Sequence, residues 1–205
     1  MSTPDRDIVS PPGPADPAPL GLAAFALTTF LLSAQNAGFT HGTEAWLGYA
    51  LGYGGLVQLC AGMWEFRNRN VFGATAFSSY GGFWIGLGLY VLLAAPTATD
   101  KAQVANDQAW ILLAFAIFNL YMLIASTQVN GAVFGVFITL QVTEVILFIG
   151  LFAGNDTLIK IGGYVGILTA LVAWYTSFAG VFNGLVGRPA VKFGGPLIKP
   201  RPAVK

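Results

Sequence analysis

Six long apolar runs constrain this 205-residue chain more than any other feature of its sequence. Each is long enough to cross the roughly 30 Å hydrocarbon core of a bilayer as a helix, which takes about 17–25 residues. The runs are continuous rather than alternating, so they favour helices over the strands of a β-barrel. Their approximate limits are 19–39, 45–66, 72–95, 109–127, 132–153 and 158–184. The sequence therefore predicts an all-α membrane protein with six transmembrane helices.

Charged residues are scarce in this chain. They make up 9% of it, and hydrophobic residues make up 55%; soluble domains carry about 25% charged residues. So few charges cannot cover a water-facing surface, which excludes an ordinary soluble enzyme. A net charge of +1 also gives no basic patch for binding nucleic acid, so no nucleic-acid partner is expected.

The basic residues predict how the six helices are oriented. With a cytoplasmic N-terminus, eight of the ten Lys and Arg residues lie in cytoplasmic segments, and only Lys101 and Lys160 lie in outer loops. Cytoplasmic loops are enriched in Lys and Arg, so both termini are expected to be cytoplasmic. The chain then divides into a Pro-rich tail over 1–18, a transmembrane domain over 19–187 and a basic tail over 188–205. Both tails are expected to be extended and mobile.

Signatures of enzymes and metal sites are missing from the sequence. It contains no HxxxH, CxxC, GxSxG or P-loop pattern, and its single cysteine cannot build a metal site alone. No Lys or Arg lies in the middle of an apolar run, so a tight anion site with a buried positive charge is not expected. We expect no enzymatic activity, no metal and no cofactor.

Neutral polar side chains are spread through the apolar runs. They can bridge neighbouring helices, or they can together line a moderately polar path for a small solute, and the sequence is compatible with both. These residues are Thr28, Thr29, Ser33, Asn36, Gln58, Thr75, Ser78, Ser79, Tyr80, Asn119, Gln141 and Tyr175.

Glu144 is the acidic residue that lies deepest in an apolar run. It is about twelve residues into the fifth run, or roughly 18 Å along a helix. A carboxyl group at that depth is costly and by default suggests a function. The alternative is a neutral glutamic acid that is hydrogen-bonded to a neighbouring helix or a subunit interface. Glu65, which ends the second run beside Arg67 and Arg69, is expected to be an interfacial anchor.

The segment DPAPLGL, residues 16–22, opens the first run. Pro17 and Pro19 suit the start of a helix, where a missing N–H group is no loss. Leu20 and Gly21 follow in the first turn, whose free N–H groups and partial positive charge can attract an anion. The segment therefore predicts either an anion site at the cytoplasmic mouth or simple helix initiation.

Two motifs make the sequence similar to a known family. DPAPLGLAAFALTTFLL resembles the NPAPLGL signature that opens the first helix of the acetate uptake transporter family, which includes the bacterial succinate–acetate permeases. YGGLVQLCAGMWEFRNRNVFGATAFSSYGGFW, residues 53–84, continues the likeness, and GGYVGILTALVAWY, residues 162–175, agrees more loosely. The resemblance covers roughly residues 15–185.

The resemblance implies six transmembrane helices, a hexameric ring and a separate pathway for acetate and related short carboxylates through each protomer. It also implies a hydrophobic constriction at Phe25, Tyr80 and, with a looser match, Leu140. Gln58 matches the glutamine of the family's GxxQ stretch. The candidates for substrate binding are Leu20, Gly21, Thr29, Asn36, Gln58, Ser79, Trp84, Asn119 and Gln141.

Two positions depart from the family pattern. Asp16 replaces the leading Asn of the first motif; Asp can still cap a helix, but its charge can oppose an entering anion. Glu144 replaces a residue that is usually apolar, and it lies four residues after Leu140, on the same helix face. Glu144 is therefore the candidate for coupling transport to protons.

The sequence as a whole predicts a transporter or channel of the plasma membrane for acetate-like carboxylates, with succinate as a further candidate. The permeant can be the anion or the neutral acid, with or without proton coupling. The alternatives are a channel for another small solute, such as ammonia or water, and a membrane sensor that transports nothing. The expected partners are the carboxylate, the lipid bilayer and further copies of the chain in a hexamer.

Overall fold

The structure is a computed structural model that describes residues 13–98 and 100–198. In this part of the chain all regular secondary structure is helical. The α-helices are α1 (Ala18–Asn36), α2 (Leu47–Leu51), α3 (Gln58–Arg67), α4 (Val71–Leu89), α5 (Lys101–Ser126), α6 (Gly131–Phe152) and α7 (Asp156–Val186). A π-helical stretch, Gly52–Val57, joins α2 to α3, and α4 continues through a second one, Tyr90–Ala94, into a 3-10 turn.

Five helical segments of the described chain are long and apolar enough to span a membrane. They are Ala18–Asn36, Val71–Thr97, Lys101–Ser126, Gly131–Phe152 and Asp156–Val186. The second predicted run is helical from residue 47 to 67 but is divided by its π-helical stretch. There, Gly54 packs against the side chain of Thr28, whose hydroxyl lies 3.4 Å from the carbonyl oxygen of Tyr49. The interruption is therefore located where the second segment meets α1.

Short polar side chains fix the starts of four helices. Each accepts a hydrogen bond from a backbone N–H group in the first turn, which no helix carbonyl can reach. They are Asn70 for α4, Asp100 for α5, Asn130 for α6 and Asn155 for α7. The cap at Asp100 explains why α5 begins at Lys101 rather than at residue 109, where the apolar run starts.

The bundle is built around α1. This helix packs chiefly against α7 and the second helical segment, and α6 lies between α5 and α7. At Gly163 of α7, a Cβ atom would lie only 2.8 Å from the carbonyl oxygen of Ser33, so glycine lets the two backbones approach closely. The buried core includes Phe25, Tyr80 and Leu140. The residues of the predicted constriction therefore lie inside the bundle.

Both described ends of the chain lie at the same end of the bundle. Asp16, which precedes α1, and Phe193, which follows α7, line one cavity together with Asn68 and Asn130 from two loops. We call this end of the bundle the inner end and the opposite one the outer end.

The chain after α7 turns back onto that helix. The helix stops at Gly187, whose φ of 65° suits glycine. Asn183 and Val191 then exchange two hydrogen bonds of 2.8 and 2.9 Å. The hydroxyl of Tyr175 donates to the carbonyl of Lys192 at 2.7 Å. Tyr175, one of the neutral polar residues of the apolar runs, is 47% exposed.

The same segment also crosses to the α5–α6 connection. The N–H group of Ala132 donates to the carbonyl of Phe193, and the N–H group of Leu197 donates to the carbonyl of Thr127, both at 2.8 Å. We call residues 187–198 the strap. The prediction of a mobile tail is wrong for the strap, because these backbone groups hold it at the inner end. Residues 1–12 and 199–205 of the two predicted tails lie outside the described residues.

Candidate functional site

Phe25, Tyr80 and Leu140 meet in the interior of the bundle. They belong to α1, α4 and α6, and they are 5%, 3% and 6% exposed. The rings of Phe25 and Tyr80 meet edge to face, with their centroids 5.7 Å apart. All three side chains line both of two small cavities. They thus lie where the two cavities adjoin, and we call these three residues the neck.

A wide cavity leads to the neck from the inner end. This inner vestibule, of about 260 Å³, is lined by the start of α1, by the loops before α4 and α6, and by Phe193 of the strap. A smaller inner cavity, of about 20 Å³, shares Leu22, Phe77 and Phe137 with the vestibule and is bounded by the neck. It has room for about one water molecule.

Two further cavities lie on the outer side of the neck. The outer cavity, of about 40 Å³, is bounded by the neck, and the outer vestibule, of about 70 Å³, lies beyond it. The two share Leu32, Asn36, Leu112 and Leu147 as lining residues. A series of cavities therefore runs between the two ends of the bundle, and the neck interrupts it.

Four of the predicted substrate-binding residues line this series of cavities. Thr29, Asn36 and Trp84 line the outer cavity, and Gln58 lines the inner cavity. Thr29 Oγ1, Trp84 Nε1 and Gln58 Oε1 are buried and have no hydrogen-bond partner among the described residues. Buried polar groups are nearly always paired. These groups are therefore available to a polar solute in the cavities.

The first turn of α1 does not offer free N–H groups. The N–H groups of Leu20 and Gly21 both lie 3.1 Å from the carbonyl oxygen of Pro17, and that of Ala18 donates to the Asp16 carboxylate at 3.0 Å. Leu20 is 47% exposed, and Gly21 is buried against α4. The chain itself thus occupies these donors, as helix initiation requires, and they are not available to an anion.

Three other candidates lie outside the cavity series. Ser79 lines a lateral groove between α4 and α5. Asn119 and Gln141 lie behind Tyr80: the Tyr80 hydroxyl is 3.1 Å from Asn119 Oδ1, and Asn119 Nδ2 donates to Gln141 Oε1 at 2.9 Å. Asn119 therefore contacts the neck from its protein side, and Gln141 contacts Asn119.

Glu144 lies one helical turn after Leu140 and lines the outer cavity. It is 3% exposed, its Oε1 atom is 3.2 Å from the Tyr80 hydroxyl, and its Oε2 atom has no partner within the part of the chain that the structure describes. The described residues that line this cavity include no Lys, Arg or His and no second carboxyl group. Glu144 can therefore hydrogen-bond to the neck with one oxygen and to a solute with the other.

Glu65 is not the interfacial anchor that the sequence predicts. Its side chain is completely buried, and its carboxylate accepts a hydrogen bond from Asn68 at 3.4 Å. The loop before α4 and the first turn of that helix explain this difference, because Asn70 and Gly73 lie against the Glu65 carboxyl group. A position at the end of an apolar run predicts exposure only if no loop folds over it.

Sequence reasoning missed the apolar walls of the inner cavities. Leu22, Phe77 and Phe137 line both the inner vestibule and the inner cavity. They lie in apolar runs whose other faces carry the same residue types toward lipid. The one available signal is helical spacing from a motif residue: Phe77 precedes Tyr80 by three residues and so shares its face of α4.

The sequence of this chain matches a known family along most of its length. The GPR1/FUN34/yaaH family matches residues 3–186. The chain belongs to that family. The resemblance that the motifs indicated is thereby confirmed.

Curated relatives of this chain have names that describe transport. Acetate permease A of Emericella nidulans is 42% identical over 82% of this chain and 61% of its own length. Ammonia transport outward protein 2 of Saccharomyces cerevisiae is 38% identical over 82% of this chain and 61% of its own length. The succinate-acetate/proton symporter SatP of Escherichia coli is 35% identical over 88% of this chain and 95% of its own length.

A solved structure has the same fold as this chain. The bacterial acetate channel SatP superposes with a TM-score of 0.83 and 34% identity, over 88% of this chain and 99% of that one. This chain spans 61% of the length of the two fungal relatives. The relatives are transporters and channels rather than enzymes, and this family member is a multi-pass membrane protein.

Proposed function

We propose that this protein moves acetate and related short-chain carboxylates, succinate among the candidates, across the plasma membrane through a pathway within each protomer. The observation that carries the proposal is the position of Phe25, Tyr80 and Leu140. All three line both the inner cavity and the outer cavity, which supports a constriction at this level. The names of the bacterial relatives support acetate as the substrate.

The solute follows the series of cavities. It enters the inner vestibule, passes the neck and reaches the outer vestibule, or travels in the opposite direction. Because the cavities on each side of the neck have volumes of only about 20 and 40 Å³, the neck must widen for acetate to pass. A small apolar methyl group can pass between apolar side chains at less cost than a larger polar group, which would lose its water. The neck thus selects by size and polarity.

The polar groups that contact the solute are those without protein partners. Trp84 donates through its indole N–H and Thr29 through its hydroxyl, both from the wall of the outer cavity, and Gln58 contacts the solute from the inner cavity. These groups are neutral. They can hold a carboxyl group without the strong attraction of a buried cation, and a conducting site must release what it binds.

The topology that we propose has six membrane crossings and cytoplasmic termini. The interrupted segment over residues 47–67 supplies the crossing that completes the five long helices. Arg67, Arg69, Arg188 and Lys192 belong to the loop and strap at the inner end, as the enrichment of basic residues on the cytoplasmic side requires. The inner vestibule then opens to the cytoplasm. A hexamer, as the family resemblance implies, completes the proposed assembly.

Proton coupling is part of the proposal, and Glu144 is the group that carries it. Its free carboxyl oxygen lies on the wall of the outer cavity. A carboxyl group within a membrane protein commonly belongs to an ion or proton pathway. The name of the bacterial symporter supports this reading.

The test is uptake of labelled acetate into proteoliposomes that contain the purified protein, with protein-free liposomes as the control. We expect faster uptake than in the control, and competition by propionate. Uptake no faster than in the control at any mildly acidic to neutral pH would refute the proposal. The yeast relative named for ammonia transport favours a second candidate function. In that case the liposomes would conduct ammonia, and propionate would not compete.

A further inference from the structure

The contacts around Tyr80 restrict where its hydroxyl hydrogen atom can point. The Tyr80 hydroxyl oxygen is 3.1 Å from Asn119 Oδ1 and 3.2 Å from Glu144 Oε1. A phenol has one hydrogen atom to donate, so it cannot fully serve both acceptors. The neighbouring groups decide which of them receives it.

The orientation of the Asn119 amide is fixed by a backbone carbonyl. Asn119 Nδ2 lies 3.0 Å from the carbonyl oxygen of Phe137 and 2.9 Å from Gln141 Oε1. Gln141 is oriented in the same way, because its Nε2 atom donates to the carbonyl of Ala116 at 3.2 Å. Since carbonyl oxygens only accept hydrogen bonds, reversing either amide would bring two acceptors together. Asn119 Oδ1 must therefore face Tyr80.

Tyr80 is consequently the donor that satisfies Asn119 Oδ1. Asn119 is completely buried, and an unpaired carbonyl oxygen there would be costly. Once the hydroxyl hydrogen points to Asn119, the Tyr80 oxygen can only accept from Glu144. An ionised carboxylate has no hydrogen to give, whereas a neutral carboxylic acid has one.

We propose that Glu144 is a neutral acid in this conformation and that it donates to the Tyr80 oxygen, as a positioning residue that holds the Tyr80 ring in the neck. This inference deepens the proposed transport of carboxylates and rests on it. The hydrogen bonds then run in one direction, from Glu144 through Tyr80 and Asn119 to Gln141, and end at the carbonyl of Ala116.

The surroundings of Glu144 agree with a neutral group. The other polar residues that line the outer cavity are Thr29, Ser33 and Asn36 from α1, Tyr80 and Trp84 from α4, and Thr143 from its own helix, and the rest of the lining is apolar. Tyr80 is the titratable group among them, and no cation lies among the described residues of the cavity wall. A carboxylate would thus be buried without a positive partner, which is strongly unfavourable.

Infrared spectroscopy of the purified protein in lipid tests the protonation of Glu144 without any transport measurement. The difference spectrum between the unmodified protein and Glu144→Gln at neutral pH should show the loss of a carboxylic acid carbonyl band. Loss of a carboxylate band instead would overturn the inference. Glu65→Gln is the matched control, because Glu65 is also buried but belongs to the inner end. The difference spectrum between the unmodified protein and Glu65→Gln should not contain the band assigned to Glu144.

Selectivity tests the positioning role. Gln retains a donor at this position, so Glu144→Gln should keep the ratio of acetate to butyrate flux close to that of the unmodified protein. Glu144→Leu removes the donor and should lower that ratio several-fold, because the Tyr80 ring is no longer held. Equal ratios in both variants would overturn the positioning role. If the acid band is present but the unmodified protein does not transport carboxylates, the proposed function fails and the protonation of Glu144 stands.

Discussion

The ring of Phe25 meets the ring of Tyr80 edge to face, at an interplanar angle of 65°. Aromatic pairs favour this geometry and gain about 0.5–1.5 kcal/mol from it beyond the area that they bury. Leu140 lines the same two cavities as this pair. A solute that follows the proposed pathway must therefore separate packed apolar groups, and small substitutions in the neck should change which solutes pass.

Leu140→Ala should admit larger acids. The substitution removes three carbon atoms from the neck, so lactate flux should rise relative to acetate flux in proteoliposomes. It should also lower the free energy of unfolding by about 2–5 kcal/mol, as is typical for a buried leucine. Leu171→Ala is the control, because Leu171 is half exposed on α7 and lines none of the four cavities. An unchanged ratio of acetate to lactate flux in Leu140→Ala would contradict the placement of the neck.

Trp84→Phe should weaken the interaction with the carboxyl group and leave the packing largely intact. The change removes the indole N–H donor, which has no partner in residues 13–98 and 100–198. A hydrogen bond to a charged group contributes about 1.5–3 kcal/mol, so the KM for acetate should rise at least tenfold. Trp110→Phe is the matched control, because Trp110 is 59% exposed and lines none of the four cavities. A KM that rises equally in both variants would argue against a direct contact.

Glu144→Gln should flatten the dependence of acetate uptake on pH. A carboxyl group can bind and release a proton, whereas the amide keeps its hydrogen atoms at every pH of the assay. If Glu144 couples transport to protons, uptake by the unmodified protein rises as the pH falls, and uptake by the variant does so less. The measurement is the initial rate of labelled-acetate uptake over a pH series. An unchanged profile would limit Glu144 to positioning Tyr80.

Asp16→Asn should raise acetate uptake at neutral pH. Asp16 lines the inner vestibule, where its negative charge repels a carboxylate. Asn keeps an oxygen that can accept the Ala18 N–H group, so the start of α1 should persist. Because salt screens exposed charges, the gain should shrink at high ionic strength. A gain that does not depend on salt would have another cause than the charge.

Phe193→Ala should increase the rate of uptake without changing selectivity. Phe193 lines the inner vestibule from the strap, at a distance from the neck. Removing its ring should ease access to the vestibule, whereas the ratio of acetate to lactate flux should stay the same. Leu197→Ala is the control within the strap, because Leu197 is 50% exposed and does not line the vestibule. A change in the flux ratio would indicate that the strap also acts on the neck.

The sequence was sufficient to indicate the position of a residue that lies one helical turn from a motif residue. Thr29 lies four residues after Phe25, and Trp84 lies four residues after Tyr80, so each shares a helix face with a neck residue. Both line the outer cavity. Ser79 is adjacent to Tyr80 and is therefore rotated by about 100° around α4. That rotation places it on the lateral groove instead.

The sequence was insufficient to predict the contacts of a residue where those contacts depend on how two helices pack. Asn119 and Gln141 are polar residues in apolar runs, and their pattern is the same whether they face a solute or each other. Their contact behind Tyr80 arises from the packing of α5 against α6. The strap is a similar case, because its fixed position depends on backbone groups of Thr127 and Ala132 that carry no sequence signal.

Because of the π-helical stretch Gly52–Val57, the number of residues in this segment determines which side chains after it face the proposed pathway. A π turn contains an extra residue, and each residue turns a helix by about 100°. A family member with one residue fewer here could still form a continuous helix between the same two ends. Its residue corresponding to Gln58 would then point away from the inner cavity. Insertions and deletions of a single residue in this stretch can thus alter which solutes are carried, even where every neck residue is retained.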